Sequence, residues 1–377
     1  MTITKFGFPT PIHFGPGARK LVGDHLREVG VKRPIIVTDK GLAALPVMAE
    51  FRNGLGKGLD VAVFSGVYGN PTRAQVMDGA AAARAHRADC VIGFGGGAGL
   101  DVAKVVALMT THEGDVMEYV WDHPKVRPVS GELPYFVALP TTSGTGSEVG
   151  RSSVVSEDDT HVKRIVFSPR LLAKVVFADP ELTLALPAGV TAATGMDALT
   201  HNIESYLCPS YHPMCDGIAL EGIRIAARAL PIAVREPGNL QARGDMMMSS
   251  MMGAVAFQKD LGAVHACAHA LSTVADLHHG LANALMIEPV MQFNLEVARE
   301  KFAEMAHVVG AGSAEAFVPW LKQFKATIGI PASLGAMKVT RAQIPALVAV
   351  AEKDICHQTN PRPCTHADFV RFFEQAL

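Results

Sequence analysis

Up to about Leu182 the chain alternates short β-branched runs with Ala-rich segments, and beyond it the strand-like runs stop. Pro34–Asp39 (PIIVTD), Asp60–Val67, Cys90–Gly95, Tyr135–Thr141 and Val175–Ala178 are each too short and too β-rich for helices. Thr72 is placed to cap an Ala-rich helix running to about Arg87, and Leu100–Met109 reads as another helix. Strands alternating with helices predict an open, mostly parallel sheet covered on both faces, a Rossmann-like α/β unit. Long Ala, Leu and Met-rich helical patterns follow to the C-terminus and predict an all-α unit. The expected domains are therefore residues 1–182 and 183–377, with no repeat, low-complexity tract or long linker between them.

Composition removes several classes of function. A net charge of -2 gives no electrostatic reason to bind nucleic acid or an anionic membrane. No apolar run reaches the roughly 18–20 residues of a membrane span, and MTITKFGFPTP lacks a basic then apolar leader pattern. The 6 cysteines contain no CxxC spacing and read as free thiols. A cytoplasmic protein is expected.

The run Cys90–Gly95 breaks directly into Gly96-Gly97-Ala98-Gly99 before a helix. Such a turn offers backbone N–H groups and a helix N-terminus to a pyrophosphate. Gly93 to Ala98 satisfies GxGxxA, although the dinucleotide fingerprint normally follows the first strand rather than a later one. Asp39 ends the first strand, where a carboxylate accepts from a ribose 2′-OH and repels a 2′-phosphate, so NAD is expected over NADP. Thr141, Thr142, Ser143 and Thr145 leave another strand end with hydroxyl donors, and Lys163 follows them.

In LGAVHACAHALSTVADLHHG, His265 and His269 are four apart and share a helix face, and His279 stands before Gly280, where that helix is expected to end. Asp197 and His201 repeat the i, i+4 spacing upstream. One carboxylate and three imidazoles suit a divalent transition metal, so Asp197, His201, His265 and His279 are the expected ligands. His269 is then left beside the metal, free to move protons.

These motifs resemble the iron-containing, or group III, alcohol dehydrogenase family along nearly the whole chain. Gly95-Gly96-Gly97-Ala98-Gly99-Leu100-Asp101-Val102-Ala103-Lys104 resembles GGGSxxDxAK, and Pro140 to Glu148 resembles PTTSGTGSE. Gly195 to His201, His265-x3-His269 with His279-Gly280, and Asn360-Pro361-Arg362 are similar to its metal segments and C-terminal NPR. The resemblance implies Fe²⁺ or Zn²⁺ on Asp197, His201, His265 and His279, with His269 near the transferred hydride. It implies dinucleotide contacts at Asp39, Asn70, Gly97, Ala98, Thr141, Thr142, Thr145 and Lys163; the glycine motif adds Gly96, Gly99 and Asp101. Ala98 stands where the family has Ser, and His278 where Pro precedes the last ligand.

The expected reaction moves a hydride between NAD(H) and a short-chain alcohol or an ω-hydroxy acid such as 4-hydroxybutyrate. Arg151 and Lys259 are the cations expected to hold an anionic substrate end, and Cys356 and His357 are expected to line the pocket. A dehydroquinate synthase-like lyase, which needs a more basic substrate region, and a catalytically inactive NAD-binding protein are the alternatives. Pairing of the edge strand near the N-terminus predicts a homodimer.

Overall fold

The computed structural model describes residues 7–8 and 10–377; the first six residues, part of the stretch without a leader pattern, lie outside the described residues. The chain divides into two compact units, one of Thr10 to Thr142 and Gly146–Thr183, the other of Ser143–Thr145 and Leu184–Leu377 with Gly7 and Phe8. Ser143–Thr145 thus belong to the helical unit although they lie far upstream of its main segment.

The first unit holds β1 (Ile12–Phe14), α1 (Val22–Glu28), β2 (Pro34–Asp39), α2 (Lys40–Ala43), α3 (Pro46–Gly54), β3 (Ala62–Val67), α4 (Arg73–His86), β4 (Cys90–Gly95), α5 (Gly97–Thr111), β5 (Tyr135–Pro140), β6 (Ser152–Ser156), β7 (Lys163–Phe167) and β8 (Val175–Ala178). Among the described residues its main sheet has 6 strands in the order β1-β8-β5-β4-β2-β3, paired in parallel throughout. Helices cover both faces, as a parallel sheet requires. Ile36, Ile92, Phe94, Val137, Leu139 and Phe177 pack on one side with Leu26, Met48 and Phe51 of α1 and α3. On the other, α5 lies so close that a Cβ on Gly93 would meet the Ala103 Cβ at 3.0 Å.

Short β1 is the strand at one edge of this order, near the N-terminus. One finding departs from the sequence reading: β6 and β7 form a separate antiparallel pair. Ser, Lys and Arg make up much of this hairpin, so it carries no continuous apolar run to announce a strand.

The second unit is helical: α6 (Ala188–Leu207), α7 (Pro213–Arg235), α8 (Leu240–Ala256), α9 (Ala263–Ala275), α10 (His279–Leu295), α11 (Arg299–Val309), α12 (Phe317–Thr327), α13 (Ile344–Ala351) and α14 (His366–Ala376). Most of α6 is buried, and Gly195 on α6, Gly222 on α7 and Gly253 on α8 leave room for the neighbouring helix to approach. A Cβ on Gly195 would lie 2.2 Å from Leu230 Cδ1, and one on Gly253 would lie 2.9 Å from the His201 Cβ. Glycine at these positions sets helix spacing and costs helix propensity. No helix among the described residues is long and apolar enough to cross a membrane.

Candidate active site

In the helical unit the site begins on α6, where Asp197, His201 and Glu204 follow at i, i+4 and i+7 and are all buried. Asp197 Oδ1 lies 3.4 Å from His279 Nε2, 3.7 Å from His265 Nε2 and 3.8 Å from His201 Nε2. Ligands about 2.1 Å from a tetrahedral ion stand about 3.4 Å from one another, so these separations match an ion's coordination shell. The donor atoms of Asp197, His265 and His279 lie within 4.8 Å of one another. His201 adjoins them, with its ring stacked on that of His265 at 4.6 Å.

The Asn283 amide lies in the middle of this group. Its Nδ2 donates to Asp197 Oδ1 at 2.7 Å and sits 3.3 Å from Nε2 of both His265 and His279. One polar group therefore meets three donors whose lone pairs share a focus, and three nitrogens with one carboxylate oxygen fit zinc or ferrous iron.

The support around these ligands is built from α9 and its surroundings. Glu204 accepts from the Val264 N–H at 2.7 Å and the His265 N–H at 3.3 Å, and it holds His265 Nδ1 at 2.6 Å. The carboxylate thus caps the N-terminus of α9 and turns His265 Nε2 toward Asp197. Only glycine fits at 262, where a Cβ would lie 2.6 Å from Glu204 Oε1. Burial works against a charged His265, but hydrogen bonds to Asp197 and Glu204 outweigh it and raise its pKa to about 9. Burial lowers His201 to about 4 despite the Asp197 carboxylate.

His279 corrects the sequence reading of helix ends. The α9 helix stops at Ala275, where Asp276 takes φ 49°, and His279 opens α10 instead of closing α9. Gly280 is a packing residue: a Cβ there would lie 2.2 Å from the Ala193 carbonyl oxygen on α6. That close approach brings His279 to Asp197. His278, which stands where the resembled family has Pro, is exposed at the N-cap of α10.

His269 stands one turn beyond His265, its ring stacked on that of His279 at 5.2 Å. Its Nδ1 is 2.7 Å from Asp354 Oδ2, and the Cys356 N–H donates to Asp354 Oδ1 at 2.9 Å. Burial favours a neutral Asp354, but the His269 charge and hydrogen bond with the Cys356 amide hold it below the usual carboxylate range. Cys356 adjoins this pair; burial pushes its thiol well up, which keeps it neutral. His357 instead directs Nε2 to the Glu352 carbonyl oxygen at 3.1 Å.

In the sheet unit the chain leaves β2 toward β3 but leaves β4 toward β5, so the switch point lies between β2 and β4. Ligands of open α/β sheets bind at the carboxyl ends of such strands. Asp39 ends β2 and the glycine turn follows β4, and a Cβ on Gly95 would lie 3.7 Å from Asp39 Oδ2. This strand order resolves why the glycine motif follows a later strand. Asp39 Oδ1 accepts from the Leu42 N–H at 2.8 Å. Gly96 is the N-cap of α5 without a side-chain cap, which leaves the first-turn amides of Gly97, Ala98 and Gly99 for an anion. Thr142 closes one side: a Cβ on Gly96 would meet its Cγ2 at 3.1 Å. The Thr141 N–H donates to the Gly95 carbonyl at 3.0 Å, and exposed Asn70 lies in the turn after β3.

Models of this architecture exist for known families. Iron-containing alcohol dehydrogenase matches residues 9–180, and the C-terminal model of the Fe-containing alcohol dehydrogenase family matches 191–377. The chain belongs to the iron-containing alcohol dehydrogenase family. A 4-hydroxybutyrate dehydrogenase of Cupriavidus necator is 38% identical over 98% of both chains. Among solved structures, a 1,3-propanediol oxidoreductase superposes with TM-score 0.95 at 36% identity, covering 100% of both chains. Sulfoacetaldehyde reductase from Bifidobacterium kashiwanohense, solved in complex with NAD+, gives 0.90 at 27% identity over 100% of this chain and 99% of its own. Membership makes this dehydrogenase-family chain an oxidoreductase.

Several expected site residues have other partners in this dehydrogenase-family chain. Asp101 Oδ1 accepts from Ser147 Oγ at 2.5 Å and Oδ2 from the Val154 N–H at 2.9 Å, so it ties α5 to the following loop rather than reaching for a cofactor. Buried Lys104 completes that tie by donating to Ser147 Oγ at 2.6 Å and to the Ser152 carbonyl at 2.7 Å. Lys259 is buried and ion-paired with Asp216, so its ammonium is engaged within the helical core and the substrate-holding role expected of it falls. Arg151 lies with its guanidinium 5.6 Å from the Phe167 ring centre, and Lys163 opens β7 opposite Ser156. Ser143 and Thr145 belong to the helical unit, where a Cβ on the intervening Gly144 would meet the Thr194 Cβ at 2.9 Å.

Sequence reading missed Glu204, Asn283 and Asp354. Glu204 had a signal, the third step of the 3.6-residue face that carries Asp197 and His201. Asn283 stands four after His279 on α10, visible only once that helix is known to start there. Asp354 comes from a short turn with no periodicity to mark it.

Proposed function

We propose that the chain is a metal-dependent alcohol dehydrogenase and aldehyde reductase that uses NAD(H) and acts on short alcohols or ω-hydroxy acids. The observation that carries this reading is the meeting of Asp197, His265 and His279 at tetrahedral edge distances with His201 beside them. Those four would hold Fe²⁺ or Zn²⁺, which when bound acts as a Lewis acid on the substrate oxygen. Glu204 fixes His265 in the tautomer that presents Nε2. Asp354 holds Nδ1 of His269, so Nε2 of that ring is the atom that accepts or delivers the alcohol proton. The amides at Gly97 and Ala98 would bind the pyrophosphate and Asp39 the adenosine ribose, which supports NAD over NADP.

The hydroxy-acid reading rests on likeness to the 4-hydroxybutyrate dehydrogenase, and the short-diol reading on likeness to the 1,3-propanediol oxidoreductase. A carboxylate end needs a cation, and with Lys259 engaged by Asp216 that role passes to Arg151. A homodimer through the β1 edge, where Ile12 is 36% and Phe14 44% exposed, and a reducing cytoplasmic setting for six free thiols complete the reading. The test is a screen of Fe²⁺-loaded and Zn²⁺-loaded protein with NADH and NADPH against 4-oxobutanoate and neutral aldehydes of equal length. Turnover with metal and NADH is expected; no NADH oxidation with any aldehyde in either metal form sinks the proposal. An Arg151→Ala variant that keeps the wild-type preference between the two substrate types removes Arg151 from it.

A further inference from the structure

Arg243 on α8 is 2% exposed, yet every acceptor around it is neutral. Its Nε donates to the Pro237 carbonyl at 3.0 Å, one terminal nitrogen to Thr191 Oγ1 at 2.7 Å, and the other to the Leu186 carbonyl at 3.4 Å. Among the described residues no carboxylate pairs with it, and burial alone bears on its charge. Three of its five N–H groups are used, and two remain. A buried cation without a counter-charge is among the costliest arrangements in a folded chain.

Beside this guanidinium is a cavity of about 10 Å³, the space that one water-sized particle's centre requires, lined by Ser143, Leu186, Thr191, Thr194, Arg243 and Met246 among others. Ser143 is 7% exposed and its hydroxyl has no hydrogen-bond partner in the structure. Thr191 and Thr194, from the first two turns of α6, form part of its wall. Thr194 does not compete for a ligand, because its hydroxyl donates to the Val190 carbonyl at 2.9 Å.

We infer that this cavity is a binding site for one compact monovalent anion of chloride size, held by the free N–H groups of Arg243 and the Ser143 hydroxyl. The site lies within the helical unit and is separate from the metal ligands. The anion supplies the counter-charge that the chain itself does not place beside Arg243, and it joins the Ser143 segment to α6 and α8.

The experiment uses the full chain with its metal. Crystals grown in sodium bromide are examined for anomalous scattering, and Tm is followed against sodium chloride, gluconate and sulfate at constant ionic strength. A bromide peak at hydrogen-bonding distance from the Arg243 guanidinium is expected. So is a saturable rise in Tm of about 2 °C at a tenfold excess of chloride over its Kd, absent with gluconate and sulfate. Arg243→Met is expected to abolish the chloride response. Ser143→Ala, which serves if the first variant does not fold, is expected to raise the half-saturating chloride concentration roughly fivefold. Water in the cavity of the bromide crystals, equal Tm curves in the three salts, or an undiminished chloride response in a folded variant overturns the inference.

Discussion

The two units build their binding features from different parts of the chain. In the sheet unit the crevice is made of backbone: uncapped amides at the start of α5 and glycines that leave room beside them. In the helical unit the cluster is made of side chains on α6, α9 and α10, oriented by further side chains such as Glu204 and Asn283. A backbone site depends on turn shape and tolerates changes of side chain, as Ala98 in place of a hydroxyl residue illustrates. A side-chain site tolerates almost none, because each ligand is unique and each support holds it in one rotamer.

The sharpest way to break this contrast is to remove one ligand. Asp197→Ala is expected to lower bound metal below one tenth of an equivalent and to cut kcat/KM by about a thousandfold or more. Metal content and NADH-coupled turnover measure it, and a variant that keeps both would show that the cluster is not where the chemistry occurs.

Gly280→Ala tests whether the helical site depends on close packing. The new methyl has no room beside the Ala193 carbonyl, so a loss of about 3 kcal/mol in urea unfolding and weaker metal retention are expected. An unchanged midpoint would mean α10 can shift without cost.

The sheet unit stores its own liability in Glu148, whose burial raises its pKa to about 7. The folded state then holds the proton more tightly than the unfolded state, in which the group titrates near about 4.3. Its contribution to stability is complete below that lower value and is lost as pH rises from about 4.3 to 7, up to about 4 kcal/mol in all. Glu148→Gln should flatten that decline in a pH series of denaturant titrations; an unaltered slope would assign it to other groups.

Glu204→Gln separates ligation from orientation. The four ligands remain, so metal affinity is expected to fall only about 10–100-fold, read by competition with a chelator. Gly96→Ala should give the mildest effect, because Thr142 Cγ2 belongs to a side chain able to move a few tenths of an ångström from the 3.1 Å contact. A rise of about tenfold in KM for NAD, with metal content and kcat nearly unchanged, would set the backbone site apart from the side-chain site.

The sequence by itself determined the strand and helix alternation and the point at which it ends, because periodicity is a local property. It also placed Asp197 and His201, and His265 and His269, on shared helix faces, since 3.6 residues per turn fixes that geometry without reference to any neighbour. Only the tertiary structure decided that His279 begins a helix, that Glu204 and Asp354 orient imidazoles, and that Asp101, Lys104 and Lys259 are held by interior partners. It alone decided that β2 and β4 lie side by side, bringing Asp39 to the glycine turn. These are contacts between residues far apart in the chain, set by which surfaces pack together, and a local pattern carries no record of its partner.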